Sequence, residues 1–96
     1  MRGAVSKRIR AVVTGRVQNV GFRMWVLNRA EAQGITGWVR NAIDYRRVEL
    51  EAEGDDRAVD DLVRDLHEGP PGARVVSVEV ELCPIASPEE HAFSVR

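Results

Sequence analysis

Gly15-Arg16-Val17-Gln18-Asn19-Val20-Gly21-Phe22-Arg23 joins a stretch that alternates like a strand to one spaced like a helix. Before it, Ile9, Ala11 and Val13 alternate with Arg8, Arg10 and Val12, the period of a half-buried strand. After it, a helix is expected over residues 22–33, with Phe22, Trp25, Val26, Arg29 and Ala30 along one side and Gly34 as its C′ residue. Two glycines in the connection allow positive φ or a close approach to a ligand. A loop entering a helix leaves amide N–H groups unpaired at the positive end of the macrodipole, so it can hold the oxygens of a phosphate. Such a connection is often only a turn. Arg23 tips the reading, because a cation in the first turn opposes the dipole unless an anion offsets it. Its planar fork of donors can meet that anion with two bonds.

Outward from this loop, residues 35–41 read as a strand carrying Trp38. Val48, Leu50 and Ala52 alternate with Glu49, Glu51 and Glu53, giving a strand with one buried face. Residues 42–47 between them must form a hairpin turn. Gly54 closes the strand, and Asp55 or Asp56 can cap a second helix. That helix sets Val59, Leu62, Val63 and Leu66 at i, i+3, i+4 and i+7, with Asp60, Asp61, Arg64 and Asp65 outside. Gly69-Pro70-Pro71-Gly72 stops it. Val76, Val78, Val80 and Leu82 then alternate with Ser77, Glu79 and Glu81, and a last short strand can run over residues 93–95. The order β-α-β-β-α-β implies an α+β, ferredoxin-like sandwich, an antiparallel sheet with two helices on one face. In that arrangement the first strand lies between the third and fourth. Arg8 and Arg10 then fall on the open face between the Glu49, Glu51, Glu53 row and the Glu79, Glu81 row, as charge ladders worth about 0.2–1 kcal/mol each.

Ninety-six residues suit one domain with one core. No apolar run approaches the ~20 residues that span a bilayer, and Met1-Arg2-Gly3-Ala4 lacks the apolar core of a signal peptide, so a cytoplasmic location is expected. The single cysteine, Cys83, cannot form an internal disulfide and reads as a packed thiol. His67 and His91 are isolated, so neither a metal nor another cofactor is expected. The net charge of −1 gives no reason to expect a nucleic-acid partner. Charge is nonetheless unevenly spread: residues 1–47 hold ten Lys and Arg against Glu31 and Asp44 (+8), and residues 48–96 hold four Arg against thirteen acids (−9). The loop lies in the basic half, whose excess would help draw in a small anion.

The nine-residue stretch closely resembles the signature of the acylphosphatase family, Gly-x-Val-Gln-Gly-Val-x-Phe/Tyr-Arg, and complies at all positions but Asn19, where the family usually has Gly. Asn is the next most tolerant residue of a left-handed conformation, so the loop can keep its path. A second family motif, Gly-aromatic-Val-Lys/Arg-Asn, is met throughout by Gly37-Trp38-Val39-Arg40-Asn41. The likeness extends over essentially the whole chain, including Ala52-Glu53-Gly54 and Phe93-Ser94-Val95-Arg96, so residues 1–96 are expected to be a single acylphosphatase-like domain. The hairpin departs from the family. Tyr45 stands where a Gly is usual and the turn is one residue longer, so a different turn or a bulge is expected.

The resemblance implies that Arg23 binds the phosphoryl group, Asn41 orients the attacking water, and the backbone amides of Arg16, Val17, Gln18, Asn19 and Val20 complete the cradle. It also implies a monomer that takes small acyl phosphates, and inorganic phosphate or similar anions, with no metal, membrane or nucleic-acid partner. The chemistry fits these residue types. An acyl phosphate carries a good carboxylate leaving group, so positioning and charge stabilisation suffice for its hydrolysis. An amide is no strong base, but its oxygen can accept a hydrogen bond from water and hold it in line. The alternative is a catalytically impaired anion- or partner-binding module of the same fold, carried by Asn19 and the altered hairpin. An RNA-recognition domain of this topology is disfavoured, because its third strand needs exposed aromatics where this chain has Glu49, Glu51 and Glu53.

Overall fold

The computed structural model describes residues 6–85 and 91–96, so the reading of Met1 to Ala4 lies outside the described residues. The elements in chain order are β1 (Ser6–Arg16), α1 (Phe22–Ala32), β2 (Thr36–Asn41), β3 (Arg47–Asp55), α2 (Asp56–Leu66), β4 (Arg74–Cys83) and β5 (Phe93–Val95). The sheet order is β4-β1-β3-β2-β5, so β1 lies between β3 and β4. Three pairings are antiparallel, and β5 adds itself parallel to β2, which makes the whole sheet mixed. The chain is thus α+β with a ferredoxin-like arrangement. No helix among the described residues is long and apolar enough to cross a membrane.

Alternation along the strands decides what each face carries. Ile9, Ala11 and Val13 of β1, Val48, Leu50 and Ala52 of β3 and Val39 of β2 are buried beneath the helices. Phe22, Val26 and Ala30 of α1 and Ala58, Val59, Leu62 and Leu66 of α2 close the same core. Helix α1 lies against β2 and β5, and α2 against β1 and β3. Neither covers β4. Val80 and Leu82, in register with Ala11 and Ile9, therefore stay exposed although the alternation marks them as inward. Val76 is exposed for another reason. The β1–β4 register shifts between Thr14 and Gly15, and that irregularity takes Val76 out of the alternation.

The open face carries the expected charges with one difference in depth. Arg8 is only 5% exposed, its Nε 2.8 Å from Glu51 Oε1 and its Nη1 3.1 Å from Glu53 Oε1. It is a buried ion pair, worth more to leave intact than a surface ladder. Arg10 pairs with Glu49 at 3.6 Å and Glu51 at 3.3 Å. Glu79 and Glu81, in register with Val12 and Arg10, form no ion pair among the described residues. Trp38 is buried on this face because the guanidinium groups of Arg10, Arg40 and Arg96 stack over its ring, 5.6, 5.0 and 4.8 Å from the centroid.

Candidate active site

The loop is shaped by what glycine permits at its two ends. At Gly15, φ is 141°, and a Cβ there would collide with the carbonyl oxygen of Arg74 and stand 2.9 Å from the amide nitrogen of Val76. The close approach of β1 to β4 at the register shift needs this residue. At the other end Gly21, φ 76°, is the N-cap of α1 and makes no side-chain cap. Its carbonyl accepts the first helical bond, from Trp25 N at 3.0 Å. Between them Asn19 adopts φ 62°, the one positive φ at a non-glycine position among the described residues. The loop follows a path that a glycine would also take, as expected for Asn in the left-handed region.

Strand parity brings the second motif to this loop. Trp38 and Arg40 lie on the open face, so Val39 and Asn41 point to the side of the helices. Asn41 is the last residue of β2 and ends beside the start of α1. There a cavity of about 190 Å³ is lined by Val17, Asn19, Gly21, Arg23 and Asn41, with Phe22, Met24 and Val95 completing its walls. Arg23 and Asn41, on separate elements, share this space. The first turn of α1 contains no acid, and no Asp or Glu lines the cavity, so no acidic side chain there offsets the dipole or Arg23. Arg23 Nη1 donates to the backbone oxygen of Arg96 at 3.0 Å, which holds the guanidinium while its other donors stay available.

The side chains of the other expected cradle residues, whose backbone amides were the expected donors, lie outside the cavity. Arg16 ends β1 exposed, and Val20 packs against the core; neither side chain lines the cavity. Gln18 turns its side chain towards the hairpin, where Nε2 donates to Ala42 O at 3.0 Å and Arg47 O at 2.9 Å. Nothing in the sequence pattern gives that side chain a partner. The contributions of Val95 and the Arg96 carbonyl were likewise not legible, because they depend on β5 lying parallel to β2. No group of three or more His, Cys, Asp or Glu among the described residues is arranged to hold a metal ion.

The hairpin holds its register despite Tyr45. The β2–β3 ladder runs without a shift from Thr36↔Glu53 to Asn41↔Val48, and Ala42 N donates to Arg47 O at 3.0 Å to close it. No residue of the turn has positive φ. Asp44 organises it instead: its carbonyl accepts from Arg47 N, its Oδ1 from Arg46 N, and its Oδ2 lies 2.7 Å from Arg47 Nη2. That hydrogen-bonded guanidinium holds the Asp44 carboxyl below the usual carboxylate range.

A model of the family described as Acylphosphatase matches residues 9–95. This chain belongs to the acylphosphatase family. The acylphosphatase of Rubrobacter xylanophilus is 55% identical over 91 residues, covering 95% of this chain and 81% of that protein. The acylphosphatase of Salinibacter ruber is 46% identical over 96 residues, with 100% and 99% coverage. Among solved structures, an acylphosphatase from Coxiella burnetii superposes with a TM-score of 0.89 at 36% identity, over 100% of both chains. Likeness over this length to acylphosphatases, with loop and ladder both intact, does not favour the impaired-module alternative.

Proposed function

We propose that this chain, with residues 1–96 as one domain, is a metal-free acylphosphatase. It would act as a monomeric cytoplasmic hydrolase on the phosphorus-containing anhydride of small acyl phosphates, with neither membrane nor nucleic acid as partner. The amides of Arg16, Val17, Gln18, Asn19 and Val20 and the guanidinium of Arg23 hold the phosphoryl oxygens. The carboxamide oxygen of Asn41 accepts a hydrogen bond from water and holds it in line with the scissile bond. The water oxygen attacks phosphorus, the bond from phosphorus to the acyl oxygen breaks, and the acyl group leaves as carboxylate. One water proton passes to a phosphoryl oxygen, so the products are carboxylate and dihydrogen phosphate. Inorganic phosphate, as a product, would occupy the same cradle. As charge spreads over the phosphoryl oxygens in the loose transition state, fixed N–H dipoles and Arg23 need no rearrangement to stabilise it.

The observation that carries this reading is the shared cavity of Arg23 and Asn41 beside an acid-free helix start. Steady-state hydrolysis of an acyl phosphate by two variants tests the roles. Asn41→Ala should lower kcat by roughly a hundredfold or more with little change in KM. Arg23→Ala should remove both turnover and competitive inhibition by phosphate. An Asn41→Ala enzyme with undiminished kcat would reject the water-positioning role.

A further inference from the structure

We propose that Gln18 is a positioning residue whose side chain keeps Asn41 aligned with the loop amides and Arg23. The proposal rests on the roles given above to Arg23 and Asn41. The Nε2 of Gln18 donates to the carbonyls of Ala42 at 3.0 Å and Arg47 at 2.9 Å, and lies 3.5 Å from that of Asp44. Ala42 follows Asn41 directly, and Ala42 and Arg47 are the residues that close the β2–β3 ladder. One amide nitrogen therefore bridges both strands of the hairpin one residue beyond Asn41. The Arg47 carbonyl has two acceptor sites; Ala42 N–H uses one and Gln18 the other.

The β1–β3 ladder ends at Thr14↔Arg47, and beyond it few ties fix the hairpin turn against the loop. Ile43 and Tyr45 at its tip are 98% and 82% exposed, so no apolar packing anchors the turn. The one other described backbone tie between the loop's start and the hairpin is Gly15 N to Arg46 O, 2.8 Å. Arg23 is tethered to Arg96 O, and Arg96 N–H in turn donates to Val39 O of β2 at 2.8 Å. Strands β1 and β2 both pair with β3 at Val48, so the sheet aligns the two halves of the site as far as Val13 and Asn41, and Gln18 adds a side-chain tie just beyond that point. The amide is specific for this task. A carboxylate would set acceptors against three carbonyls, and a thioether would leave the Ala42 and Arg47 carbonyls without this donor. The Gln18 side chain is turned to the hairpin and does not line the cavity, so it acts through Asn41, while the backbone N–H keeps its part in the cradle.

The test is a double-mutant cycle read by kcat and KM for benzoyl phosphate and by inhibition with inorganic phosphate. Gln18→Met should lower kcat roughly ten- to a hundredfold, since small misplacements of a reacting group have effects of that order. KM and phosphate inhibition should change by less than about threefold. In an Asn41→Ala background the same substitution should lower kcat by less than about twofold, because the alignment it protects is no longer used. Gln18→Asn, one methylene too short to reach both carbonyls, should repeat the result and serves if the Met variant does not fold. An unchanged kcat, or an equal loss in both backgrounds, would overturn the proposal. A failure of Asn41→Ala alone to lower kcat would overturn the underlying role of Asn41, and is recognisable without any change at Gln18.

Discussion

Replacing Gly15 by alanine tests how the loop is attached to the sheet. The added Cβ meets backbone on the neighbouring strand, the Arg74 carbonyl and the Val76 amide, so no side-chain rotation relieves it. With φ at 141°, alanine is strained even without the collision, by about 1–3 kcal/mol. Relief by separating β1 from β4 would break pairing at Gly15↔Val75 and Arg16↔Arg74 and disturb the Gly15 N to Arg46 O bond, at about 0.5–1.5 kcal/mol for each hydrogen bond lost. The expected destabilisation is about 3–5 kcal/mol. For a domain of this size that lowers Tm by at least about 12 °C. Thermal and urea unfolding followed by circular dichroism would read it. Gly21→Ala is the comparator, because φ is 76° there and no atom lies within 4 Å of the added Cβ. It should lose only about 1–2 kcal/mol from the left-handed backbone. Equal losses at the two positions would refute the argument that close strand approach is what Gly15 provides.

Two further substitutions probe the points where this chain departs from its family. Asn19→Val should destabilise by about 1–2 kcal/mol, since a β-branched residue is a poor fit to φ 62°, while Asn19→Gly should stay within about 1 kcal/mol of the parent; urea midpoints decide it. At Asp44 the carboxyl is held below its ordinary range by Arg47, so its stabilisation is fully present above the ordinary carboxylate pKa and is lost as pH falls through the lowered value. Asp44→Ala should therefore lower stability at neutral pH, with the difference from the parent closing only in strong acid. A difference independent of pH would show that the ion pair is not its source.

The fold was legible where periodicity has a single solution. Helix α2 buries Val59, Leu62 and Leu66 at the spacing the sequence shows, and β3 buries Val48, Leu50 and Ala52 against its glutamates. Helix α1 is less clear by spacing, since Met24 is exposed at 53% while Trp25 and Leu27 are only partly covered; its place followed from the loop before it. In β4 alternation misled for Val76, Val80 and Leu82, because a register shift and the reach of two helices are properties of the assembled sheet. The burial of Arg8 was hidden for the same reason. The site's two motifs could be read as a pair, but the ties that aim them could not. Gln18 finds its carbonyls, and Arg23 its Arg96 oxygen, only once the hairpin and β5 are in place.

The most direct test of the central claim is release of phosphate from benzoyl phosphate by the purified protein in excess chelator. Turnover that the chelator leaves unchanged, and that inorganic phosphate inhibits competitively, is the predicted result. Absence of turnover by the folded protein, or turnover that the chelator abolishes, would contradict it.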